Sequence, residues 1–187
     1  MKAAPAAKKA FTILTLLALA ILSPMAQNNR IGQFDNHGDI GSPKLAGAAS
    51  YSDAKQEYTI SGAGTNMWYG GDQFHFVWKS LPGDFILRTR LEFIGKGAVP
   101  HRKAGWMVRQ TLDPDSPYVD CAEHGNGLTS LQFRLAKGAN TLEIPLAITN
   151  ADVLQFERRG TTYIFSAAHY GEPFGSGQHN LDLGDTV

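Results

Sequence analysis

Cysteine is almost missing from this chain of 187 residues: Cys121 is alone, so no disulfide can form within the chain and a packed core has to hold it together. An excess of one charge is missing too, because 17 Lys and Arg balance 17 Asp and Glu. Nucleic acid is gripped mainly by neutralising phosphates, so this balance makes the chain a poor candidate for that role. Helical spacing of apolar residues is absent after residue 26, as are H-E-x-x-H, a P-loop and G-x-S-x-G. These absences leave an all-β chain with no recognisable reaction motif.

The first 26 residues differ in kind. Lys2, Lys8 and Lys9 occur without an acid, the 12-residue apolar run Phe11 to Leu22 follows, and SPMA precedes Gln27. This reads as a secretory signal peptide over residues 1–26, and the run is shorter than the roughly 20 residues that span a hydrocarbon core. Pro24 occupies the third position before the cut, where a small residue is preferred, and no Cys follows to accept a lipid. The expectation is a periplasmic or secreted protein with no membrane span after signal removal. Its remaining residues hold 14 bases against 17 acids, enough chain for one domain that buries roughly 70% of its unfolded surface.

The rest is organised by alternation. In GDFILRTRLEF, Phe85, Leu87, Leu91 and Phe93 point one way and Arg88, Arg90 and Glu92 the other, the period of a half-buried strand. Similar runs occur at residues 56–60, 74–78, 85–94, 104–110, 118–124 and 128–135, with Gly, Pro, Asn and Asp in nearly every gap. VLQFERRGTTYIFSAAHYG predicts a β-hairpin with its turn at Arg159-Gly160. About eight to ten such strands without a fixed repeat predict a two-sheet antiparallel β-sandwich over residues 51–187. Residues 27–50, rich in Gly, Asn, Asp and Ala, read as an extended lead-in segment. Cys121, inside YVDCAEH, reads as a small buried side chain.

The segments GDFILRTRLEF, KAGWMVRQ and LQFERRGTTYIFSAAHYG resemble concanavalin A-like, laminin G-like jelly rolls, and particularly a secreted bacterial family related to the DUF1349 group. The likeness covers most of residues 43–185. It implies a jelly-roll sandwich, sometimes joined to a Tol-type β-propeller, in which one or two further strands follow the segment LDLGDTV; relative to that pattern the sandwich here is shortened at its C-terminal end.

In such sandwiches sugars lie across a concave sheet, stacked on aromatics and bonded by planar polar groups. Trp68, Tyr69, Trp78 and Trp106 are the aromatic candidates, although a large aromatic in a sandwich usually fills the core. Arg109, Glu123, His124, Gln132 and Arg134 are the polar candidates, with a solvated sheet face as the plainer expectation for the two arginines. The leading functional reading is a non-catalytic module binding carbohydrate or another cell-envelope ligand.

Two alternatives stay open. One is a sugar-cleaving hydrolase of the 3-keto-disaccharide or glycosidase type, with Glu123 and His124 as acid and base, or a carboxyl pair drawn from Asp113, Asp115, Asp120 and Glu123. The strand motif E-x-D-x-E is absent, and DPDSP around Asp113 and Asp115 reads first as a turn. The other is docking to a propeller or envelope protein through an open sheet edge. No cofactor is expected. The six histidines, His37, His75, His101, His124, His169 and His179, are dispersed in the sequence and predict no zinc site.

Overall fold

A computed structural model describes residues 30–187; the predicted signal peptide lies outside them. The described residues form twelve strands: β1 (Asn36–Ile40), β2 (Ala48–Ser52), β3 (Glu57–Ser61), β4 (Phe74–Trp78), β5 (Phe85–Arg90), β6 (Lys103–Arg109), β7 (Tyr118–His124), β8 (Leu128–Arg134), β9 (Leu142–Thr149), β10 (Val153–Arg159), β11 (Thr162–Ala168) and β12 (Gly175–Asn180). No helix occurs among them, and so none long and apolar enough to cross a membrane.

Every pairing is antiparallel. One four-stranded sheet runs β6-β7-β8-β9 and the other β12-β11-β10-β5, with two-stranded sheets β1-β4 and β2-β3 beside them. The protein is a β-sandwich, and the interior explains why. Val108, Val119, Cys121, Leu131 and Phe133 from the first sheet share one buried cluster with Leu154, Phe156, Tyr163, Phe165 and Ala167 from the second. Each fully buried Leu or Phe contributes about 1.5–3 kcal/mol, which makes this layer the main source of stability. Gly177 lets the sheets approach where β12 passes β9: a Cβ there would stand 3.1 Å from the Leu146 side chain. His179, two residues on, stacks on Phe133 with ring centroids 3.7 Å apart.

The β10–β11 hairpin turns at Gly160, whose φ of 58° suits glycine. Strand β5 alternates as its sequence does, with Phe85 and Leu87 inward and Ile86, Arg88 and Arg90 outward. It is shorter than the alternating run, since pairing stops at Arg90 and the chain turns away through Gly95 and Gly97, both at positive φ, leaving Ile94 84% exposed.

Three strands are not marked by alternation, and a fourth, β9, alternates through Leu142, Ile144, Leu146 and Ile148 but carries a proline. Strands β1 and β2 begin within the lead-in segment. Strand β12, GSGQHN, carries no large apolar side chain and is held by its ladder to β11. Strand β9 contains Pro145, which a central strand excludes; β9 is a sheet edge, and Pro145 faces Ser130 beside a register shift.

Candidate ligand-binding face

Strand β7 is buried along its whole length, and its alternation divides it between two environments. Val119, Cys121 and Glu123 take the core side with their cross-strand neighbours Trp106, Leu131 and Thr129. Tyr118, Asp120, Ala122 and His124 take the outer side. Register then sets the outer face in rows: Arg109, Tyr118 and Arg134; Met107, Asp120, Gln132 and Glu143; Gly105, Ala122, Ser130 and Pro145. This face is polar yet buried, the opposite of the solvated surface expected for Arg109 and Arg134, which are 5% and 0% exposed.

The first row is an anchor. Arg134 Nη1 donates to Asp72 Oδ2 at 2.8 Å and to the Ser116 carbonyl at 3.1 Å, Nη2 donates to Asp72 Oδ1 at 2.6 Å, and Nε donates to the Ala139 carbonyl at 2.8 Å. The same guanidinium donates to the Tyr69 carbonyl and lies over the Tyr118 ring. Arg109 also faces Asp72, at 3.4 Å, and donates to the carbonyls of Thr111 and Asp113. Burial pulls the Arg109 pKa down, and the Asp72 carboxylate opposes that pull. Tyr118 donates to the Met67 carbonyl at 2.6 Å and meets Thr141 Oγ1 at 2.7 Å. Burial raises its phenol pKa. The whole row thus straps the segment 66–72 across the sheet, and every N–H of Arg134 is spent within the fold.

The adjoining rows behave differently. Asp120 is 2% exposed and neither of its carboxyl oxygens has a hydrogen-bond partner, although the Gln132 backbone amide lies close enough to pull its pKa down. Burial first of all, then the Asp72 and Glu143 charges, push its pKa up to about 8 against the pull of Lys103. Ser130 Oγ and Gln132 Oε1 are also buried and unpartnered. Gln132 Nε2 donates to Glu143 Oε1 at 2.7 Å and stands 3.3 Å from His124 Nε2, whose Nδ1 lies 2.7 Å from the Leu128 carbonyl. Desolvation lowers the His124 pKa and keeps the ring neutral, which fits Nδ1–H donating to that carbonyl. Lys103, whose pKa burial also lowers, donates to Asn66 Oδ1 at 3.0 Å and sits 5.6 Å from the Trp68 ring.

Between these side chains the floor is low. Gly105 has to be glycine, since a Cβ would come within 1.8 Å of the Cys121 carbonyl oxygen, and Ala122 and Ser130 continue the small-residue row. Buried polar atoms without partners are uncommon, and three such groups share this face.

The structure therefore separates the residues singled out by sequence. Gln132 and His124 lie on this face, with Trp68 beside it. Tyr69 is 67% exposed on the strapped segment, while Arg109 and Arg134 form the anchor. Trp106 and Glu123 point to the core side instead. Glu123 accepts from Thr129 Oγ1 at 2.5 Å, and burial raises its pKa. As neighbours in a strand, Glu123 and His124 project to opposite sides of the sheet and do not meet over one bond. Lys103, Ser130 and Glu143 escaped the sequence reading, and Asp120 figured there only as one of four carboxyls. Parity was the signal available for Asp120, because it shares a face with His124 four positions away and Glu123 with neither. Nothing in the sequence marks Asp72.

On the second sheet an open groove of about 400 Å³ is lined by Arg88, Arg90, Val153, Tyr170 and Phe174 among others. Its arginines are already engaged: Arg88 binds Gln155 and lies over Phe174, and Arg90 binds Asp152 at 3.0 Å and lies over Tyr170. The outer face of β6–β9 is the stronger candidate because its acceptors are unspent. In comparisons with protein families, curated proteins and solved structures, the chain shows no match.

Proposed function

We propose that this chain is an exported, non-catalytic module that binds carbohydrate, or another hydroxyl-rich ligand of the cell envelope, on the outer face of β6–β9. The observation that carries the reading is the convergence of the unpartnered Asp120 carboxyl, Ser130 Oγ and Gln132 Oε1 beside the low floor at Gly105 and Ala122. Sugar hydroxyls donate to such acceptors, and Trp68 offers an aromatic surface on which an apolar ring face stacks. The jelly-roll likeness of the sequence and the signal-peptide pattern of residues 1–26 support the same reading. No arrangement of Glu123 and His124 favours hydrolysis, because they occupy opposite faces.

Affinity electrophoresis in immobilised polysaccharides, followed by a glycan array, tests it. Retention by at least one glycan is expected, weakened tenfold or more in Gln132→Ala and in Trp68→Ala, each leaving the anchor intact. Retention unchanged in both variants, or no retention on any envelope or cell-wall glycan, overturns it.

A further inference from the structure

The small sheet β1-β4 carries a second polar cluster, away from the face just described. Asp39 pairs with His75 and His37 with Val77, which puts His37, Asp39 and His75 on one side of the sheet. His75 stands between the other two: its Nδ1 is 2.8 Å from Asp39 Oδ1 and its Nε2 is 3.2 Å from His37 Nδ1. Asp39 is fixed in turn by the Gly47 amide, 3.1 Å from both carboxylate oxygens. An ionised Asp39 accepts from His75 Nδ1–H, which leaves the His75 Nε2 lone pair directed at His37. The His75 side chain is 3% exposed, and Gly47 closes against it so tightly that a Cβ there would lie 2.5 Å from Nδ1.

This is the arrangement of a metal-binding histidine with its supporting carboxylate. Two metal–nitrogen bonds of about 2.0–2.1 Å at a tetrahedral angle hold the nitrogens about 3.3 Å apart and the ring centroids about 5.2 Å apart. Here the nitrogens are 3.2 Å and the ring centroids 5.3 Å apart. We propose that His37 Nδ1 and His75 Nε2 bind one divalent ion of the zinc, copper or nickel class, with Asp39 orienting His75 from behind. Imidazole nitrogen suits these ions, whereas magnesium and calcium call for oxygen. On binding, His37 carries its proton on Nε2, so that both facing nitrogens offer lone pairs. No cluster of three or more His, Cys, Asp or Glu side chains suited to a metal occurs among the described residues. Water or an exogenous donor fills the remaining positions, and the ion is exchangeable.

Titration of the full chain with zinc by calorimetry, and with cobalt by visible absorption, tests the site. One equivalent is expected to bind, with intense cobalt d–d bands of low coordination number. His37→Asn and His75→Asn each abolish the bands, Asp39→Asn weakens zinc binding about 10–100-fold, and the exposed His101→Asn leaves it unchanged. Histidine ring NMR of the unaltered protein gives a reading that needs no variant: the His37 and His75 nitrogen signals move together with added zinc. Zinc binding that survives His37→Asn or His75→Asn, ring signals that stay still, or no uptake at millimolar zinc overturns the proposal.

Discussion

Two ends of one sheet face show opposite treatments of buried polarity. At the Arg109–Asp72–Arg134 end each charged group meets a counter-charge or a carbonyl, and the result is a strap that holds segment 66–72 to the sheet. At the Asp120–Ser130–Gln132 end, a short distance along the same strands, acceptors are buried and unmatched. Both ends read alike in sequence, as polar residues alternating with apolar ones. Satisfaction, not burial or charge, distinguishes the two ends.

The sharpest way to break this contrast is Asp72→Ala, which strands two buried guanidinium groups. A loss of about 3–5 kcal/mol is expected in urea unfolding; a loss below 1 kcal/mol would deny the strap its structural role. Next in size is Thr129→Val on the core side, where removal of the hydroxyl leaves Glu123 short of a buried hydrogen bond. It is expected to cost about 1–3 kcal/mol by the same measurement.

Asp120 then tests the unmatched end through pH. Its pKa is raised from 3.8 when unfolded to about 8 when folded, so the folded state holds the proton that the unfolded state has released. Stability is expected to fall as pH rises between those two values, by up to about 1.4 kcal/mol per pH unit from this group. Asp120→Asn should flatten that slope and leave the protein more stable at pH 8, read from thermal melts across the range. A slope unaltered by the substitution would mean that Asp120 is not buried in this way. The smallest effect is expected for Ser130→Ala, within about 0.5 kcal/mol of the parent, because its hydroxyl has no partner to lose. Glycan retention should nevertheless weaken. Ser130→Ala and Thr129→Val, neighbours in one strand, thus separate ligand binding from stability.

Alternation in YVDCAEH and LTSLQFR announces β7 and β8, while β12 is invisible because GSGQHN carries no apolar side chain to alternate. Gln132 and His124 were legible as outer-face residues because polar side chains in a strand must face something other than the core. Glu123 and Trp106 were not separable from them until register assigned each a side. The histidine pair is the furthest from legibility: 37 and 75 are remote in number, and only the β1–β4 ladder makes them neighbours.

What residue order settles here is local. The period-two pattern makes strands, the glycines place turns, and a lone cysteine leaves the core to do the work of cross-links. Which strands become neighbours, and in what register, depends on long-range pairing that the pattern of any one segment does not encode. Asp72 therefore reaches Arg134, and Asp39 lines up with His75 and His37, only once the sheets have closed over their common interior.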